Sequence, residues 1–146
     1  MNSAHALLNQ QLKMGGYSST RQRTLVFDAL YEQEPQSMQE VIAKLAGSVD
    51  RASAYRTIEL FEKLGIVQRL SIGWKYKLEL SDTFHDHHHH MTCLGCGILI
   101  PLDGDTHIEQ DITQLAKKHG FYITRHQLEI SGYCTTCQPN SGILRT

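Results

Sequence analysis

The sequence contains no run of roughly 18 or more apolar residues, so no segment of it reads as a membrane-spanning helix. Its opening, Met1-Asn2-Ser3-Ala4-His5, lacks the charged region and long apolar stretch of a secretory signal, which makes a cytoplasmic location the expectation. Neither sign of charge is in excess: 14 Lys and Arg stand against 15 Asp and Glu, a formal net of −1. Two signatures of catalytic zinc are also missing. There is no His-Glu-x-x-His, and no His-x-Glu accompanied by Pro-Cys-x-x-Cys. Catalytic zinc needs an open coordination position beside a general base. A zinc hydrolase or deaminase therefore finds no support, and neither an enzymatic activity nor a small-molecule substrate is expected.

A chain of 146 residues makes one ordinary domain or two small ones, and its charges divide it. Residues 1–80 carry ten Lys/Arg and eight Asp/Glu, a net of +2; residues 81–146 carry four and seven, a net of −3. Eight of the nine histidines also fall after residue 80. Nucleic acid needs a local basic face rather than a basic total. The first half is therefore open to DNA, and the second concentrates metal-ligating side chains.

In the first half, Thr20 is placed to cap a helix carrying Leu25, Val26, Ala29 and Leu30 on its buried side. Ser37-Met38-Gln39-Glu40 is a Ser-x-x-Glu capping box ahead of Val41, Ile42 and Leu45. Asp50 opens a third helix in which Tyr55, Ile58, Phe61 and Leu64 recur at near-helical spacing, and Gly65 ends it. The period then changes. Ile66 to Ile72, Gly73-Trp74, and Lys75 to Leu80 read as a β-hairpin, with Gly73 at the first central position of a type II′ turn. Three helices followed by a hairpin is the order of a winged helix. Its third helix opens with Arg51, Ser53, Tyr55 and Arg56, side chains suited to phosphates, guanine edges and a thymine methyl.

In the second half, Cys93-Leu94-Gly95-Cys96 and Cys134-Thr135-Thr136-Cys137 contain every cysteine of the chain. Two such knuckles complete a tetrahedral four-cysteine zinc site. Gly97, directly after the first pair, is read as relieving crowding there. Disulfides are the weaker reading in a reducing compartment. Ahead of Cys93 runs His85-Asp86-His87-His88-His89-His90. In an extended segment side chains alternate faces, so His88 and His90 point one way, and His87 and His89 the other. One short strand can thus serve two metal sites. Thr106-His107-Ile108-Glu109 reads as a second capping box, opening a helix with Ile108, Ile112, Leu115 and Ala116 facing in and Gly120 closing it. Phe121 to Ile130 reads as a strand with His126, Leu128 and Ile130 on one face.

Arg51-Ala52-Ser53-Ala54-Tyr55-Arg56, Leu64-Gly65-Ile66-Val67, the histidine run into Cys93-x-x-Cys96-Gly97, His119-Gly120-Phe121, and His126 followed by Cys134 together resemble the ferric uptake regulator family. The likeness runs from about Gly16 to Cys137. It implies an α+β chain: a winged helix-turn-helix at 1–80, a hinge at 81–86, a small α/β metal-binding dimerisation domain at 87–137, and a flexible tail at 138–146. It also implies a homodimer on palindromic double-stranded DNA, with Tyr55 and Arg56 on the reading helix. By the same likeness, Cys93, Cys96, Cys134 and Cys137 hold structural zinc. Glu79, His88 and His90 form the regulatory site, with His85 or Asp86 as candidates for a remaining ligand. His87, His89, Glu109 and His126 form a second site.

The expected function is a metal-dependent transcriptional repressor of metal-uptake or metal-homeostasis genes. Zinc stands ahead of iron(II) or manganese(II) as the sensed ion, since imidazole nitrogen suits zinc and the other two accept more oxygen. The alternatives are a peroxide-sensing relative and a metal-buffering protein. Some positions depart from the family's pattern. Gln36 stands before the second helix where many iron-sensing members have His, and His89 where many have Asp. Gln68 occupies the wing position from which zinc-sensing relatives draw a ligand, and Glu79 the position where peroxide-sensing relatives favour Asp.

Overall fold

The computed structural model describes residues 3–102 and 106–138, and the chain falls into two compact units, Met1–Asp86 and His87–Thr146. In the first unit the helices start where the caps dictate. Thr20 accepts from the Arg23 amide ahead of α2 (Arg21–Leu30). Ser37 and Glu40 form both bonds of the capping box ahead of α3 (Met38–Leu45), at 3.2 and 2.6 Å. Asp50 accepts from the Ser53 amide at 2.9 Å ahead of α4 (Arg51–Lys63). Each side-chain oxygen satisfies an amide that the helix itself leaves without a partner.

An additional helix, α1 (Ser3–Met14), precedes the three expected ones. Its signal was present: Ala4, Leu8 and Leu12 recur every fourth residue and are all buried. His5 fastens it to α2 through a 2.6 Å contact with Asp28. Strands β1 (Val67–Ile72) and β2 (Lys75–Leu80) follow as an antiparallel hairpin in continuous register from Val67–Leu80 to Ile72–Lys75. Gly73 turns the chain at φ +60°, as the first central position of a II′ turn requires. This order of helices and hairpin is a winged helix. Gln36 is buried: its backbone bridges Leu78 in both directions, and its side-chain amide donates to the Ala29 carbonyl at 2.8 Å. The core gathers Phe27, Phe61, Leu8, Leu12, Val26, Val41, Ile66 and Leu78, all fully buried. Phe27 stacks on Tyr31 and meets the edge of Phe84.

The second unit is a three-stranded sheet in the order β4-β3-β5, with β3 (His89–Cys93) central. It pairs antiparallel with β4 (Leu99–Leu102) and parallel with β5 (Glu129–Gly132). Helix α5 (Thr106–Lys118) lies between β4 and β5 in the chain. Three expectations are corrected here. The strand expected from Phe121 to Ile130 reduces to Glu129–Gly132, because β3 is short and its parallel pairing begins only at His90–Glu129. Thr106 is the first helical residue rather than the cap, so the cap position falls on residue 105, outside the described residues. Leu115 is 61% exposed, and Ile108, Ile112 and Ala116 are only half-buried, so the expected inward face of α5 is incompletely covered. Residues 139–146 of the expected tail also lie outside the described residues.

Phe27 has no exposure and touches two further aromatic rings, so truncation leaves a cavity the core cannot refill. Phe27→Ala is expected to cost about 3–5 kcal/mol, read as a lower urea midpoint at unchanged slope.

Candidate metal centres and nucleic-acid face

The last residue of β3 is Cys93, and the chain reverses at once, with the Gly97 amide donating to the Cys93 carbonyl at 2.9 Å. After β5 a second reversal brings the Cys137 amide to the Cys134 carbonyl at the same distance. Parallel pairing of β3 with β5 sets these two knuckles side by side. The four sulfurs of Cys93, Cys96, Cys134 and Cys137 lie within 4.8 Å of one another, and Cys96 and Cys134 are 3.8 Å apart. A disulfide needs about 2.05 Å, and all four thiols are free. Four thiolates at about 2.3 Å from one tetrahedral ion are separated by about 3.8 Å, so the set fits structural zinc.

The ionisation of the four is uneven. Amides of Cys134 and Cys96, followed by that of Gly95, point at the Cys93 sulfur and bring its pKa down to about 6. Cys137, hemmed in by the sulfurs of Cys134, Cys93 and Cys96, is pushed up to about 12. A dication among them removes that obstacle by neutralising the accumulated negative charge.

The crowding that matters sits at Gly95 rather than at Gly97, where an added Cβ would meet nothing within 4 Å. At Gly95 a Cβ would lie 2.7 Å from Cys137 Cβ and 2.9 Å from its sulfur. The first knuckle thus needs a bare backbone for the second to close on it. Gly95→Ala is expected to weaken zinc retention on the order of ten- to a hundredfold, measured by competition with a chromophoric chelator. Retention equal to the parent would show that the knuckles can part without cost.

A second convergence is built on the other end of β3. His87 and His89 point to the same side, Glu109 comes from the first turn of α5, and His126 from the irregular segment before β5. The Nε2 atoms of His89, His126 and His87 stand 2.7, 3.1 and 3.2 Å from Glu109 Oε1, and those of His87 and His126 are 3.0 Å apart. Burial raises the Glu109 pKa, but hydrogen bonds donated by His89 and His126 outweigh it, and the carboxyl sits below its ordinary range. Three imidazole nitrogens and a carboxylate oxygen aimed at one point form a donor set that fits a divalent cation.

Protons compete for this set. The lowered Glu109 pKa means its charge, and the stability it brings, is present above the unfolded-state pKa and lost as pH falls through the folded one. Protonation of the imidazoles acts in the same direction on metal affinity. Metal bound by His87, His89, Glu109 and His126 is therefore expected to be released as pH is lowered, with proton release on loading at neutral pH. Calorimetry in two buffers of different ionisation enthalpy reads both.

His88 and His90 occupy the opposite side of β3 from His87 and His89, their rings 4.5 Å apart, with His90 buried. In the first unit, Glu79 lies across the wing from Gln68, whose side-chain amide donates to its carboxylate at 2.7 Å. The ring nitrogens of His85, a candidate for a remaining ligand, lie beside the carbonyls of Leu80 and Asp86.

On α4, the Arg51 guanidinium rests 5.6 Å from the Tyr55 ring centre, and Arg51 and Arg56 are exposed. Ser53 is largely buried: its amide and its hydroxyl both donate to Asp50, and Arg56 donates to its oxygen at 3.2 Å. It lines the same groove as Arg56. Arg23, Thr20 and Gln22 of the α2 end line one groove with Arg56 and Thr57 of α4. Nothing local in the sequence ties residues 20–23 to residue 56, so this juxtaposition is visible only in the fold.

The ferric uptake regulator family model matches residues 14–131. The chain is 33% identical over 133 residues to the ferric uptake regulation protein of Campylobacter jejuni, covering 86% of this chain and 83% of that one. Among solved structures, the Vibrio cholerae ferric uptake regulator superposes with a TM-score of 0.67 at 32% identity, covering 86% of this chain and 98% of that chain. The ferric uptake regulator from Pseudomonas aeruginosa, solved with manganese, gives 0.74 at 26% identity over 87% and 97%.

Proposed function

The chain belongs to the ferric uptake regulator family, and we propose that it is a dimeric DNA-binding repressor of metal-uptake or metal-homeostasis genes, switched by a divalent metal on Glu79, His88 and His90. The observation that carries this reading is the alternation along β3. One strand presents His87 and His89 to a complete four-donor set and leaves His88 and His90 on the opposite side as a second imidazole pair.

Zinc on the four cysteines would be permanent and structural. A regulatory ion drawing on Glu79, before the hinge, and on His88 and His90, after it, would narrow the range of domain arrangements. A dimer would then hold its two α4 helices at the spacing of successive major grooves. There Arg51 and Arg56 supply charge-assisted donors, and Tyr55 an apolar face. Zinc remains the favoured ion for an imidazole-rich set.

The test is duplex selection from a random pool with the full chain, followed by titration of zinc, iron(II) and manganese(II) at buffered free concentrations. One metal is expected to raise affinity for the selected duplex on the order of tenfold or more. His88→Ala with His90→Ala should abolish that dependence while the cysteine-bound zinc stays. Unchanged metal dependence in this double variant would overturn the reading.

A further inference from the structure

Glu79 is 5% exposed, an unusual position for a carboxylate, and its cross-strand partner in the hairpin register is Gln68. The Gln68 amide nitrogen stands 2.7 Å from Glu79 Oε1. A carboxylate only accepts, so the nitrogen of Gln68 must face it and the orientation of the amide is fixed. Ordering so long a side chain costs conformational entropy, but a carboxylate buried without a donor costs more. The strand holds the donor in place. Val67 and Leu70 of β1 are buried in the first unit, and Arg69, next to Gln68, pairs with Glu62 of α4.

Both oxygens of a carboxylate can serve one cation. Bound through both, it fills two coordination positions and suits ions that take octahedral oxygen sets, manganese(II) among them. Bound through one, it fills a single position, as the tetrahedral sites of zinc require. A hydrogen bond to Oε1 withdraws that oxygen from the choice. Resting on the reading of Glu79 as a regulatory ligand, we infer that Gln68 is a positioning residue of that site. By occupying Oε1 it makes Glu79 a one-oxygen ligand and biases the site toward zinc over manganese(II). The glutamine itself binds no metal; it acts through the ligand it holds.

The test uses the full chain with zinc on its four cysteines. Glu79→Ala identifies the site: the cation lost, and the cobalt(II) d–d absorption that vanishes with it, belong to Glu79. At that site Gln68→Leu is expected to lower the ratio of zinc to manganese(II) affinity on the order of tenfold. Zinc is read by chelator competition, and manganese(II) by loss of the free-ion paramagnetic resonance signal. The cobalt(II) bands should weaken as the released oxygen raises the coordination number. Gln68→Met, similar in length and also unable to donate, should behave like Gln68→Leu. In the Glu79→Ala background neither substitution should alter metal binding further, since the effect runs through the carboxylate.

A ratio equal to the parent's, or zinc and manganese(II) affinities lowered by the same factor, would overturn the inference and leave Glu79 as a ligand. A change of ratio that persists without Glu79 would make Gln68 a ligand in its own right and also overturn it. Parent metal content at every site in Glu79→Ala would instead remove Glu79 from the regulatory reading, and this inference with it.

Discussion

Among its described residues the second unit buries almost no apolar side chain, and the rest of its design follows from that constraint. Every member of the large buried apolar cluster lies in the first unit. Among the described residues after Asp86, the buried side chains are Cys93, His89, His90 and Thr92. Three short strands and one amphipathic helix cannot hold together on so little burial. Convergent donor sets take the place of a core. The cysteines link the end of β3 to the segment after β5, and the His87–His89–Glu109–His126 set links the start of β3 to α5 and to the segment before β5. A cation at each would clamp the central strand at both ends, so that metal binding and folding of this unit become one equilibrium.

The first unit has the opposite character. Its helices are capped, its core is aromatic and aliphatic, and its hairpin is tied to the helices through the Gln36–Leu78 bridge and the Arg69–Glu62 pair. None of that requires metal. On the proposed reading, a metal signal has no fold to create there and acts instead on how the DNA-binding unit is held. His85, engaged with the carbonyls of Leu80 and Asp86, keeps the connecting segment close to the end of the wing.

Much of the site was legible because its geometry is short-range. Two Cys-x-x-Cys knuckles, the alternation of four consecutive histidines, and the caps at Thr20, Ser37 and Asp50 are each set within a few residues by backbone stereochemistry. The less legible features share a different cause. Ser53 reads as a free surface hydroxyl until its turn of helix shows it donating to Asp50. Gly97 reads as the crowded position until the second knuckle is seen closing over Gly95. His126 reads as a strand residue until the pairing of β5 begins beyond it.

The sequence alone determined the chemistry and its local order: which residues can bind metal, which turns present them, and where helices begin. Such properties depend on bonds and dihedral preferences spanning a few residues, and no distant contact can change them. Only the tertiary structure decided which donors meet. Glu109 and His126 are 17 residues apart in the chain and converge because α5 and the segment before β5 return to the same end of β3. Gly95 and Cys137 approach because parallel strands end at the same level. Those coincidences arise from strand register and packing, which sum weak contributions across the whole unit.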